Sequence, residues 1–287
     1  MNDKLKITTI NDEISDDIGV VIEFLKSHNI NLIELRTIQK RNLVDHSLDE
    51  VRDLYDLLCR NNIEVSALAS PLFKWYPDAA GQESDDKVDT FHFSPHVCLE
   101  DKRNYIKKAI AVAKVLHTKY IRIFSSLRSV STEYDFTQDP LLEWALVEAQ
   151  KEGITLLLEN EPPCYIHKMV DIKSIASKFQ SNGLGIWFDV ANFYKNGEQV
   201  LFKDLETIRD QIHYIHLKDF DMDGNYVPLG EGVINYKRIV SDIKTIFRNR
   251  EIFLSIETHV HSDPVQATAQ SVATLRRWVG YGVVGCG

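Results

Sequence analysis

The chain has 287 residues, 44% hydrophobic and 26% charged, with a formal net charge of −9. That is enough for the core of one α/β barrel or two smaller domains, and it argues against nucleic acid as a partner, because phosphate binding needs a concentrated basic surface. The N-terminal MNDKLKITTI lacks the apolar region of a signal peptide, no run reaches the length of a membrane span, and Cys59, Cys98, Cys164 and Cys286 form no CxxC; the expectation is a cytoplasmic protein with no membrane partner, disulfide framework or zinc knuckle.

Strand and helix signals then alternate. KITTI (6–10) is a β-branched strand, and a helix follows over 16–28, with Ile18, Val21, Ile22 and Leu25 at a 3.6-residue period. NLIELR (31–36) is the second strand. Ser47 is placed to cap the next helix, Glu50 to complete a capping box, and Leu48, Val51, Leu54, Leu57 and Leu58 to form its buried face. EVSALAS (64–70) is the third strand. From Ser70 to Leu99 a stretch with Pro, Asp and aromatic residues interrupts the pattern, and a connection of that length predicts a lid or binding loop. A helix over 101–117, the strand KYIRIFS (119–125), the polar loop SSLRSVSTEYDFTQ and a helix over 139–152 come next.

Four apolar runs close the chain: ITLLLENE, LGIWFDVAN, IHYIHLKD and IFLSIETH, with helices near 169–181, 198–210, 236–248 and 265–279. They lack the alternation of a sheet wetted on one face, so they read as strands buried on both sides. Helical connections make successive strands parallel and bring their C-terminal ends to one edge. Glu159, Asp189, His216 and Glu257 stand at those ends. Eight βα units without a linker predict a single (β/α)8 TIM barrel domain over 1–287, with a long loop after the third strand and its reactive groups at the C-terminal ends of the strands.

Side-chain parity puts Gly185, Trp187 and Asp189 on one face of the sixth strand, Tyr214, His216 and Lys218 on one face of the seventh, and Ser255 and Glu257 on one face of the eighth. In the fifth strand Glu159 and Glu161 share a face, and parity does not choose between them. Carboxylates about 4 Å apart repel by about 1 to 4 kcal/mol, so the cluster needs protons or a cation. One divalent metal satisfies it. Carboxylate oxygens and one imidazole suit Mn²⁺, Mg²⁺ or Co²⁺, with Zn²⁺ compatible; the bland alternative is that each acid caps a strand or pairs with a lysine.

The segments NLIELR, VSALASPLF, LLLENEP, FDVANF, IHLKD, LGEG and IET, in this order and over nearly the whole chain, resemble those of the xylose isomerase-like (β/α)8 superfamily. The resemblance is in particular to its sugar phosphate isomerase/epimerase group, which also holds ketose 3-epimerases, hydroxypyruvate isomerase, inosose dehydratase and endonuclease IV. The resemblance implies Glu159, Asp189, His216 and Glu257 as metal ligands, choosing Glu159 over Glu161. It also implies Glu159 and Glu257 as the pair that exchanges protons with a small sugar or polyol through an enediolate. Return of the proton gives epimerisation or aldose–ketose isomerisation; loss of a β-hydroxyl gives an inosose-type dehydratase. Endonuclease IV carries extra histidines, one of them where this chain has Asn192, and the fourth strand here ends in Phe124 and Ser125. An endonuclease IV-like phosphodiesterase is therefore disfavoured. Ketose 3-epimerases often place a substrate-touching histidine at the Asn192 position too, so the resemblance implies Asn192 as a substrate-binding residue, with a specificity that departs from theirs. A non-catalytic sugar-binding barrel is the alternative class, and a homo-oligomer stays open.

Weaker candidates complete the reading. Lys218 could stabilise an oxyanion or neutralise the carboxylates. Arg36 could orient a sugar group or pair with Glu34 or another strand end. The LGEG turn (229–232) could offer backbone N–H groups to a phosphate, or its glycines could be only turn chemistry between strand and helix. Trp75, Phe91, His92 and Phe93 could close over a sugar ring or pack as a cluster that anchors the long loop.

Overall fold

The structure, a computed structural model, describes residues 4–77, 98–129, 134–179 and 183–280. Eight strands form one sheet: β1 (Leu5–Thr9), β2 (Leu32–Leu35), β3 (Glu64–Leu72), β4 (Tyr120–Ile123), β5 (Thr155–Glu159), β6 (Leu184–Asp189), β7 (Ile212–Leu217) and β8 (Ile252–Ile256). Neighbours in the chain are neighbours in the sheet, every ladder is parallel, and β8 pairs with β1. The remaining seam, between β1 and β2, carries the single bridge Ile10–Glu34, so the TIM barrel is nearly closed.

Between the strands run α1 (Ile18–Ser27), α2 (Leu48–Arg60), α3 (Leu99–Val115), α4 (Pro140–Lys151), α5 (Met169–Lys178), α6 (Val190–Lys195), α7 (Phe202–Ile208), α8 (Tyr236–Ile246) and α9 (Pro264–Val279). The capping box of α2 forms as expected: the Ser47 hydroxyl accepts from the Glu50 amide at 3.2 Å, and Glu50 accepts from the Ser47 amide at 2.7 Å. Val51, Leu54 and Leu58 are buried below it, whereas Leu48, at its first turn, is exposed.

Three expectations change. VAN, read as the end of the sixth strand, begins a helix, because the Asp189 carboxylate accepts from the Asn192 amide at 2.7 Å and caps α6. The helix expected over 198–210 is accordingly shorter, Phe202–Ile208. The third strand also runs past Ser70 to Leu72.

The main core lies between sheet and helices. Inside the barrel a second cluster, Ala67, Leu157, Trp187 and Tyr214, plugs its lower part. Trp187 stacks on Tyr214 with ring centroids 3.9 Å apart, and Phe253 stacks beneath at 5.3 Å. Gly185 is needed there: a Cβ on it would stand 2.4 Å from Leu157 Cδ2 and 2.7 Å from the His213 ring. That plug forces the polar residues of the same faces toward the opposite mouth. Among the described residues no helix is long and apolar enough to cross a membrane.

Candidate active site

Glu159 ends β5, Asp189 ends β6, His216 is the penultimate residue of β7 and Glu257 follows β8 directly. All four are buried, and one ligand atom from each lies within 4.8 Å of the others. His216 Nδ1 is the centre of the group, 3.1 Å from Glu159 Oε1, 3.2 Å from Glu257 Oε2 and 3.8 Å from Asp189 Oδ2. Lys218 reaches the same place, its Nζ 2.9 Å from both Asp189 Oδ2 and Glu257 Oε2. Parallel register explains the convergence, since Asp189 pairs with His216 across β6/β7, and Ser255, two before Glu257, pairs with His216 across β7/β8.

Each glutamate has its outer oxygen beside an arginine. Arg122 Nη1 lies 3.1 Å from Glu159 Oε2, and Arg36 Nη1 donates to Glu257 Oε1 at 2.9 Å. Arg36, expected at a sugar group or paired with Glu34 or another strand end, is thus bound to Glu257 at the end of β8, and it also donates to Glu13 at 2.7 Å and Asp12 at 3.0 Å. Glu13, Glu257 and His259 form another compact group, but the Arg36 guanidinium already bridges its two carboxylates.

Burial and charge compete throughout. Burial pushes the Asp189 carboxyl up to about 6, with Glu159 and Glu257 adding to it against Lys218 and His216. For Glu257 burial acts in the same sense, but Lys218, His216 and His259 outweigh it and hold the group well below the usual carboxylate range. Glu159 is lowered too, burial being overcome by Arg122 and His216. Burial opposes charge on His216, yet Glu34, Glu257 and Glu159 hold its pKa well above the ordinary imidazole value.

This donor set fits a divalent cation. Glu159 Oε2 and Asp189 Oδ2 are fully buried and accept no hydrogen bond, although each lies beside a cation. Oxygen donors with one imidazole and no thiolate suit Mn²⁺, Mg²⁺ or Co²⁺, and Zn²⁺ as well.

Other candidates fall elsewhere. Asn192 is buried, and its amide donates to the Asn160 carbonyl at 2.8 Å and to Glu161 Oε2 at 2.7 Å, so its N–H groups face protein. Glu161 also pairs with Lys74 at 3.1 Å and stands outside the cluster. The backbone cradle of LGEG is filled from within: Asp219 accepts from the amides of Gly230 at 3.0 Å, Gly232 at 3.1 Å and Ile234 at 3.3 Å, which corrects the phosphate expectation. Trp75 is buried, 5.1 Å from the Phe73 ring, in a packed arrangement; Phe91, His92 and Phe93 lie outside the described residues.

Two residues of the site escaped sequence reading, Glu34 and Arg122. Both carried a signal: each is a lone charge between apolar neighbours in a strand buried on both faces, Ile33-Glu34-Leu35 and Ile121-Arg122-Ile123. In such a strand the charged side chain must face the barrel interior.

A family model described as xylose isomerase-like TIM barrel matches residues 22–278. No curated protein sequence matches significantly. Among solved structures, the chain resembles the IOLI protein with a bound zinc atom, at 17% identity and a TM-score of 0.70, covering 97% of this chain and 100% of that one. It resembles an L-ribulose 3-epimerase at 14% identity and a TM-score of 0.71, over 96% and 95%. It also resembles the probable 3-DHS dehydratase AsbF of Bacillus anthracis at 16% identity and a TM-score of 0.69, over 94% and 98%. At these identities the likeness establishes the fold.

Proposed function

Because the chain belongs to the xylose isomerase-like TIM barrel family, we propose that it is a divalent-metal-dependent isomerase or epimerase of a sugar or sugar derivative, acting as one domain over 1–287. The observation that carries this reading is the pair of glutamates that meet at one imidazole nitrogen, Glu159 Oε1 at 3.1 Å and Glu257 Oε2 at 3.2 Å, from separate strands. Glu159, Asp189, His216 through Nδ1 and Glu257 would hold the metal. When bound, it would polarise a carbonyl and a neighbouring hydroxyl and so acidify the C–H on the hydroxyl-bearing carbon next to the carbonyl.

One glutamate then takes the proton and the other returns it, which inverts the carbon or moves the carbonyl. Arg122 and Arg36 hold the outer oxygens, so the inner oxygens face the place where metal and substrate would meet. Lys218, between Asp189 and Glu257, supplies positive charge to an oxyanion as it develops. Loss of a β-hydroxyl from the same intermediate would make the enzyme a dehydratase, a reading favoured by the likeness to a probable dehydratase. Zinc stays among the candidate metals, since a zinc-bearing protein shares the fold.

The test is incubation of metal-loaded protein in D₂O with ketoses, aldoses, inososes and hydroxypyruvate. Solvent deuterium at the carbon next to the carbonyl is expected for one class. Full metal occupancy with no turnover of any class would favour a non-catalytic sugar-binding barrel instead.

A further inference from the structure

Glu34 points into the barrel at the β1/β2 seam and is completely buried. A register shift between Ile33 and Glu34 in the β2/β3 ladder accompanies that placement: Ile33 pairs with Val65, but Glu34 pairs with Ala67. Such irregularities re-aim side chains. The Glu34 carboxylate stands against the side of His216 that faces away from Glu159 and Glu257, with Oε1 and Oε2 at 3.1 and 3.0 Å from Nε2. The Ser255 hydroxyl donates to Glu34 Oε2 at 2.6 Å. Beneath lie further hydroxyls, with Ser66 Oγ 2.7 Å from Tyr214 OH and 3.3 Å from Thr8 Oγ1. Among the described residues, His216 is the one cationic group within ion-pair distance of this carboxylate.

A buried carboxylate is costly unless its charge is used, and an apolar side chain of similar size would fill the same space without that cost. A carboxylate can only accept, so the nitrogen beside it must carry the proton. We propose that Glu34 is a positioning residue that accepts Nε2–H from His216, fixing the ring so that Nδ1 presents its lone pair to a metal among Glu159, Asp189 and Glu257. The inference rests on the metal-dependent reading above and deepens it. The chain becomes Ser255 to Glu34 to His216 to metal, in which the second partner of a ligating imidazole sets its orientation and strengthens it as a ligand.

The test uses zinc alone and the full chain. Zinc affinity is measured by calorimetric competition with a chelator for the parent protein, Glu34→Gln and Asp189→Asn, with folding checked by circular dichroism. Glu34→Gln keeps the shape but removes the charge, and should weaken zinc binding by about 10- to 100-fold. A second measurement needs no variant: ¹⁵N spectra of the His216 ring in the zinc-loaded parent should show zinc on Nδ1 and a slowly exchanging proton on Nε2. Parent-like affinity in a folded Glu34→Gln, or zinc on Nε2 with the proton on Nδ1, would overturn the positioning role. If Asp189→Asn still loses zinc in that case, the metal reading survives. Absence of zinc binding by the parent would overturn both. If Glu34→Gln does not fold, the ring spectrum alone decides.

Discussion

Glu159 and Glu257 approach the same imidazole nitrogen at nearly equal distances, yet their flanks are built differently. On the β5 side Glu159 faces Arg122 alone among the arginines, and that arginine is packed beside the Phe124 and Trp187 rings and the carbonyls of Ala69 and Ser70. On the β8 side Glu257 accepts from both Arg36 and Lys218, with His259 Nε2 3.6 Å away, and Arg36 is shared with Asp12 and Glu13. The β8 flank is a charge network spanning the loops after β1 and β8; among the described residues, the β5 flank sets the Arg122–Glu159 ion pair among aromatic rings. The difference teaches that the two glutamates are kept ionised by different means: both are held below the usual carboxylate range against burial, Glu257 by Lys218, His216 and His259, and Glu159 by Arg122 and His216.

The largest expected effect falls on what the two flanks share. Asp189→Asn and His216→Ala each remove a ligand, so metal content and turnover should both collapse, as elemental analysis of purified protein would record; full occupancy in both variants would remove the shared centre from the account. Lys218→Met touches the β8 flank and Asp189, and should slow both reaction directions by about 10²-fold while solvent exchange continues. Parent-like rates there would reduce Lys218 to a neutralising charge.

Stability compares the flanks directly. Arg36→Met leaves three carboxylates without their arginine and should cost about 3 to 5 kcal/mol in urea denaturation. Arg122→Met strands Glu159 alone and should cost less. The reverse order would break the comparison. The smallest effect is a pH dependence of the chelator-treated protein. Asp189 is raised from 3.8 to about 6 in the fold, so its contribution to stability is present below about pH 4 and is lost as pH rises through about 6. Glu257 has the opposite sign: held low, it contributes above its ordinary value of 4.5, and that contribution is lost as pH falls well below it. Thermal melts of Asp189→Asn between pH 4 and 7 should lack the loss on the alkaline side.

Much of this was legible in the sequence because barrel strands leave few options. Buried on both faces, they announce themselves as apolar runs, and polar residues at their ends stand out: Glu159, Asp189, His216 and Glu257 are brought together as expected. Glu34 and Arg122 were legible by the same rule, inside the strands rather than at their ends. What the sequence withheld depends on partners distant along the chain. Arg36 meets Glu257 across 221 residues, and the glycines of LGEG close over Asp219 rather than over a ligand, a pairing no local pattern encodes. The start of α6 was hidden because VANF is apolar enough to continue a strand, and only the cap from Asp189 ends it.

The central claim is that two glutamates handle the proton from opposite sides. It is tested most directly by solvent-deuterium exchange into each of the two sugars that the proposed reaction would interconvert, using metal-loaded Glu159→Gln and Glu257→Gln with metal content confirmed. Each variant should lose at least about 10²-fold in turnover, because a general base typically contributes that much or more. Each should still exchange label into one sugar of the pair, and the two variants should spare opposite members. Exchange into both sugars at near the parent rate in either variant would contradict the account.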